Sequence, residues 1–169
     1  LITAMVMGII AVMMSIFFRM QLAWPEEGFP ILEMFLGKWA SDGVLDPNMY
    51  LALVTIHGTI MVFFVLTGGL SGTFFNFLIP LQIGARDMAS GFLNMLSYWF
   101  FFTSSVVMII SLFIQSGPAA AGWTIYPPLS ALPQAMPGSG LGMTLWLVSM
   151  SLFVVSSLLG GLNYIVTIL

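Results

Sequence analysis

A chain of 169 residues that is 60% hydrophobic and only 5% charged cannot clothe a soluble domain, whose surface has to be polar. The formal charge of −3 comes almost wholly from Glu26 to Asp46 and no basic patch accompanies it, so nucleic acid is excluded as a partner. The chain has no cysteine, which removes disulfides, thiolate metal sites and thioether-attached haem.

The composition predicts an all-α fold, a polytopic bundle of membrane-spanning helices. The apolar stretches run to about 20 residues or more and carry Gly, Phe and Met without polar alternation, which suits helices and not barrel strands. The first span is predicted over Leu1 to Phe18. It lacks the basic start and the small-residue cleavage site of a signal peptide. The chain opens without an initiator Met and stops at Leu169 inside an apolar run, so it reads as part of a longer protein. Arg19 closes the span, where its guanidinium either snorkels to the interface or serves a buried cofactor; central burial would cost about 2.5 to 3.5 kcal/mol. The connection from Arg19 to Asn48 holds three prolines, five acids, Trp24 and Trp39, and reads as a water-exposed segment anchored at the interface.

The second span, Met49 to Ile79, contains His57, the only histidine. At about 100° per residue, His57 shares a stripe with Met61, Phe64, Gly68 and Ser71, with Gly72 beside it. Aromatic bulk followed by small residues predicts room for a large flat group, and a haem held by neutral imidazole is the obvious candidate. The competing reading is a histidine hydrogen-bonded to a neighbouring helix. Gly68 and Gly72 also form a small-xxx-small pair suited to close helix contact. From Pro80 to Gly91 a tight turn carries Arg86 and Asp87. The third span is predicted over Phe92 to Gln115.

The connection from Ser116 to Leu141 is uncharged, with five prolines, Trp123 and Tyr126. It is expected to pack on protein at the membrane surface, as a lid. The fourth span runs from Gly142 to Leu169. Counting Lys and Arg, two in the first connection, one in the second and none in the third, would place the first connection in the cytoplasm. Away from His57 lies a set of uncharged polar groups: Asn76, Asn94 and Ser97, then Ser156, Ser157 and Asn163, with Asp87 in the turn. Such groups on three helices either line a file of waters fed from Asp87 or glue helices together, at about 0.6 kcal/mol per contact.

In order along the chain, "RMQLAWP", "TIHGTIMVFF", "GTFFNFLIPLQIGARDMA", "NMLSYWFF", "GWTIYPPLS" and "SSLLGGLNYIVTI" resemble the first four helices of subunit I of the haem-copper oxidases. The likeness is nearest to the cytochrome c oxidase branch with the aspartate-type proton channel. The resemblance implies a twelve-helix subunit of which this chain supplies helices one to four. It implies that His57 is an axial ligand of the low-spin haem, of a-type, and that Arg19 hydrogen-bonds a formyl group of that haem. Trp123 would lie near the haem propionates on the outer face. Asp87 would be the entrance of a proton channel, with Asn76, Asn94, Ser97, Ser156, Ser157 and Asn163 as its lining. This orientation places the third connection outside and Asp87 inside, overruling the charge count.

The resemblance departs at Gln21, where the family commonly has an acid serving an outer cation site, and at Ser90, Gly91 and Phe92 beside the channel entrance. The implied activity is a terminal respiratory oxidase: electrons from cytochrome c pass by the low-spin haem to a high-spin haem and copper, bound by parts of the subunit absent here, and reduce dioxygen to water with proton pumping. Subunits II and III and membrane lipid are the implied partners, and a bacterial cytoplasmic membrane the expected location. A quinol oxidase of the same superfamily and a proton-coupled transporter, which would hold no haem, are the alternatives.

Overall fold

The computed structural model describes residues 1–132 and 139–169. Every regular element among them is helical, as composition predicts. Four of the helices are long and apolar enough to cross a membrane: Ile2–Ala23, Pro47–Ile83, Gly91–Ser111 and Gly140–Ile168, here called spans one to four.

Span one runs past Arg19 to Ala23 because Met20, Gln21, Leu22 and Ala23 all favour helix. It stops at Trp24, which precedes Pro25 and is forced out of the helical region, with φ −133° and ψ 77°. Arg19 therefore lies within the last turns of the helix, and its side chain is exposed. In the following connection a short helix, Pro30–Leu36, starts with proline at its first position, where no amide hydrogen is missed. Leu32, Ala40 and Leu45 are buried and pin the otherwise exposed segment. Gln21 secures it too: its Oε1 accepts from the Leu45 amide at 3.0 Å and its Nε2 donates to the Pro25 carbonyl at 3.1 Å.

Span two opens with the Asp46 carboxylate accepting from the amides of Asn48 (2.8 Å) and Met49 (3.3 Å), an N-cap that satisfies donors the first turn leaves free. It is α-helical through Thr59, then widens into π-helix over Ile60–Thr67 and Leu70–Phe75, and returns to α-helix at Asn76. It passes Pro80 and ends at Gly84, whose φ of 73° suits glycine. A π-helix bonds i to i+5, so a stripe drawn at 100° per residue drifts off its face below Thr59.

Spans three and four pack most extensively on each other, as an antiparallel pair with polar clamps at seven-residue intervals. Ser97 and Ser156 each donate to the other's carbonyl, at 2.9 and 2.7 Å. Ser104 and Ser149 do the same at 2.6 and 2.7 Å. One heptad further, the Asn163 amide accepts from the Ser90 N–H and donates to the Ser90 carbonyl, both at 3.0 Å. Small side chains let the backbones approach closely, and each hydroxyl finds an acceptor it would lack in hydrocarbon.

Spans one and two meet through buried Met7, Ala11 and Met14 against Ile56, Ile60 and Phe64. Phe64 reaches Phe101 of span three (5.7 Å between centroids) and Phe153 of span four (5.4 Å), so one aromatic cluster joins spans two, three and four. In the third connection Gly117 to Ala121 are buried, as the absence of charge predicts. The Gly122 amide donates to Thr55 Oγ1 at 3.0 Å, and Trp146 Nε1 donates to Thr59 Oγ1 at 3.1 Å, fastening this connection and span four to span two. Residues 123 to 129 are mostly exposed, and the stretch from Pro133 to Gly138 of the expected lid lies outside the described residues.

Candidate functional site

His57 sits on the last α-turn before the π-helical stretch of span two, half-buried, with Nδ1 2.8 Å from the carbonyl oxygen of Ala11 on span one. A carbonyl only accepts, so Nδ1 carries the hydrogen, and in the neutral ring the lone pair stays on Nε2. Phe18 packs edge-on to the imidazole at 5.5 Å and fixes its plane from the other side. This is the arrangement in which a histidine presents Nε2 to a metal while its second nitrogen is anchored to a carbonyl. The hydrogen bond to the neighbouring helix uses Nδ1 alone, so it does not compete with a ligand role for Nε2.

Of the 100° stripe, only Met61 lines the apolar space beside span one. A Cβ on Gly68 would collide with the Phe101 ring, and Ser71 and Gly72 open onto a different, polar cavity. The apolar room lies between spans one and two, in a groove of about 570 Å³ walled by Ala4 and Gly8 on one side and Met61, Val65 and Gly69 on the other. Met61 is followed on this side by Val65 and Gly69. A Cβ added at Gly8 would lie 3.4 Å from Val65, and one added at Gly69 would lie 3.5 Å from Ala4. His57 does not itself line this groove, which begins one helical turn away at Met61.

Trp123 stands beside the histidine's helix. A Cβ on Gly58 would be 3.6 Å from its indole, and the indole meets Phe63 edge-on at 5.9 Å. The Thr55–Gly122 bond positions it, and it remains 48% exposed. Arg19 is exposed near the end of span one, and the adjacent Phe18 is the residue that packs on His57.

The polar residues fall into two groups. Asn76, Asn94, Ser97, Ser156 and Ser157 line a single cavity of about 300 Å³ enclosed by all four spans, many times the ~10–15 Å³ one water needs. Asn76 donates from Nδ2 to the Gly72 carbonyl at 3.0 Å, but its buried Oδ1 has no partner. A buried acceptor left open calls for a donor, and the cavity has room for a water to act as one. Ser97 and Ser156 spend their hydrogens on each other's backbone, so toward the cavity they offer lone pairs only.

Asn163 and Asp87 stand outside that cavity. Asn163 is fully buried and clamps Ser90. Asp87 is exposed in the turn, with Oδ1 accepting from the Met88 amide at 2.7 Å. The turn is held to span four by the Ser90 clamp and by the Ala89 amide donating to Thr167 Oγ1 at 3.0 Å. Tyr164 is a lining residue that the sequence reading missed: its hydroxyl donates to the Ser71 carbonyl at 2.6 Å and its ring meets Phe75 at 5.9 Å. Its i+4 spacing from Gly160 was the available signal.

A family model described as cytochrome C and quinol oxidase polypeptide I matches residues 1–169. The chain is 42% identical over 167 residues to a protein of Bradyrhizobium diazoefficiens named alternative cytochrome c oxidase subunit 1, a match over 99% of this chain and 26% of the relative. It is 38% identical over 168 residues to cytochrome c oxidase subunit 1 of Thermostichus vulcanus, covering 99% of this chain and 26% of that one. It is also 42% identical over 136 residues to ubiquinol oxidase subunit 1 of Acetobacter aceti, covering 80% of this chain and 20% of the relative. The chain thus spans about a quarter or less of the length of these relatives.

Proposed function

The chain belongs to the cytochrome c and quinol oxidase polypeptide I family, subunit I of the haem-copper oxidases, and from that premise we propose that it forms the haem-binding and proton-entry portion of a proton-pumping cytochrome c oxidase. The observation that carries the reading is the Nδ1 bond from His57 to the Ala11 carbonyl, 2.8 Å long, which leaves the lone pair of Nε2 available. A haem bound there supplies reversible one-electron storage. His57 holds and orients it, and the Ala11 carbonyl raises the basicity of the ligand nitrogen through the shared ring. Phe18 keeps the imidazole from rotating. Trp123 covers the outer side, and Arg19 reaches the haem edge from the same end of span one.

Protons enter from the face that carries Asp87. The carboxylate collects them, and the cavity lined by Asn76, Asn94, Ser97, Ser156 and Ser157 carries them inward on water. The serine hydroxyls act as acceptors that align those waters, since their own hydrogens are committed. Asn163 serves as a positioning residue that holds the turn bearing Asp87 against span four. Cytochrome c is favoured as donor because two of the relatives are named for it. Subunits II and III, an a-type haem and a bacterial cytoplasmic membrane complete the proposal.

The test is the reduced-minus-oxidised visible spectrum of the complete oxidase complex, wild type against His57→Ala. Loss of the low-spin band with the rest of the complex assembled is the expected result. An unchanged spectrum overturns the ligand assignment, and a wild-type complex without haem leaves the transporter reading in its place.

A further inference from the structure

A separate groove of about 570 Å³ lies at the end of the molecule that carries the Glu26–Asp46 connection. Its walls are Ile10, Met14 and Phe17 of span one, Phe35 of the short helix, Leu53 of span two and Phe113 just beyond span three. From Ile9 to Phe17 a helix rises about 12 Å, so the groove runs lengthwise along the spans. Its polar lining residues, Lys38, Trp39 and Gln115, stand together: Lys38 Nζ donates to the Gln115 carbonyl at 3.1 Å and lies 4.7 Å from the Trp39 ring centroid.

Neither partner of Lys38 is anionic, and two of its three N–H bonds are unspent on them. The ammonium is exposed at this end of the groove, beside Trp39, a residue type enriched at membrane interfaces. A long apolar slot with a single uncompensated cation at one end complements a molecule with an apolar chain and an anion at its head. A quinol matches less well, because its two hydroxyls need acceptors for their protons and the depth of the groove offers none.

We propose that this groove holds one acyl chain of an anionic glycerophospholipid whose phosphate pairs with Lys38. The site does not involve His57 or the polar cavity, so it stands or falls apart from the oxidase reading. The test uses the complete complex in phosphatidylcholine nanodiscs doped with phosphatidylglycerol, followed by native mass spectrometry of retained lipid. The wild type is expected to retain phosphatidylglycerol in preference to phosphatidylcholine. Lys38→Gln loses about fivefold of that preference, the worth of one basic residue at an anionic surface, and Lys38→Arg keeps it. Ile9→Trp, which fills the slot from an exposed position, lowers retention of both lipids while the visible spectrum stays as in the wild type. Equal retention of the two lipids by the wild type, retention indifferent to both variants, or a quinone or another subunit in the groove overturns the proposal.

Discussion

At Asn76 the amide nitrogen has a partner and the buried oxygen has none, whereas at Asn163 both ends are engaged by one backbone residue. Two asparagines of similar sequence setting therefore have opposite consequences. Asn76→Leu removes an acceptor that no protein group uses, and it is expected to slow steady-state oxygen consumption of the complete complex several-fold with an unaltered visible spectrum and melting temperature. Asn163→Leu strips two backbone groups of Ser90 of their partners, at about 1–3 kcal/mol each. Its expected signature is a lowered melting temperature, with turnover falling only as the protein unfolds. Equal behaviour of the two variants would remove the distinction between lining and clamp. Both residues stand out in the sequence because an uncharged amide in hydrocarbon must find a partner. Which partner it finds is invisible there, since a backbone carbonyl and a water offer the same chemistry.

The second span shows the same division for a whole element. Its existence follows from hydropathy, and its start from Asp46 and Pro47, whose capping chemistry is local. Its course does not: Met61 lines the apolar groove with Val65 and Gly69, Ser71 and Gly72 open onto the polar cavity, and the space beside Gly68 is filled. The reason lies in span three, where the Phe101 ring occupies the space beside Gly68. Gly68→Ala is expected to destabilise the complex by about 1–3 kcal/mol, the usual cost of overpacking, and Phe101→Leu in the same chain to restore much of the loss; thermal melts of the two variants in detergent check both. The pairing of spans three and four makes a second prediction. Ser104→Ala and Ser149→Ala in a double-mutant cycle should couple by roughly 0.6 kcal/mol, because clamps between helices are worth little individually in membranes. Additive effects would mean that each serine merely bonds its own helix.

Across the whole molecule, Thr55 and Thr59 act as the point where separate segments are gathered. Each threonine donates to the backbone one turn earlier at 2.8 Å, leaving lone pairs for the Gly122 amide and the Trp146 indole. Thr55→Val should therefore free residues 117 to 123 from span two, raising their amide hydrogen exchange while the amides of span two itself remain protected. Unchanged exchange would show that burial of Ala119 to Ala121 is sufficient to hold the connection. The same gathering explains why Trp123 lies beside Gly58 and Phe63 of span two although they are far from it in the chain.

What the amino-acid order by itself determined is the all-helical, membrane-spanning class of the chain, the isolation of His57 and the presence of polar groups able to meet in one cavity. These follow from how each segment partitions between hydrocarbon and water, a property of its own side chains. Only the tertiary structure decided that Ala11 anchors the imidazole, that Phe18 packs on it, that Asn163 clamps while Asn76 faces the cavity, and that the apolar groove lies on the span-one side. Those outcomes depend on which backbone comes within about 3 Å of a given polar atom. That distance is set by the joint packing of all four helices, and no single segment encodes it.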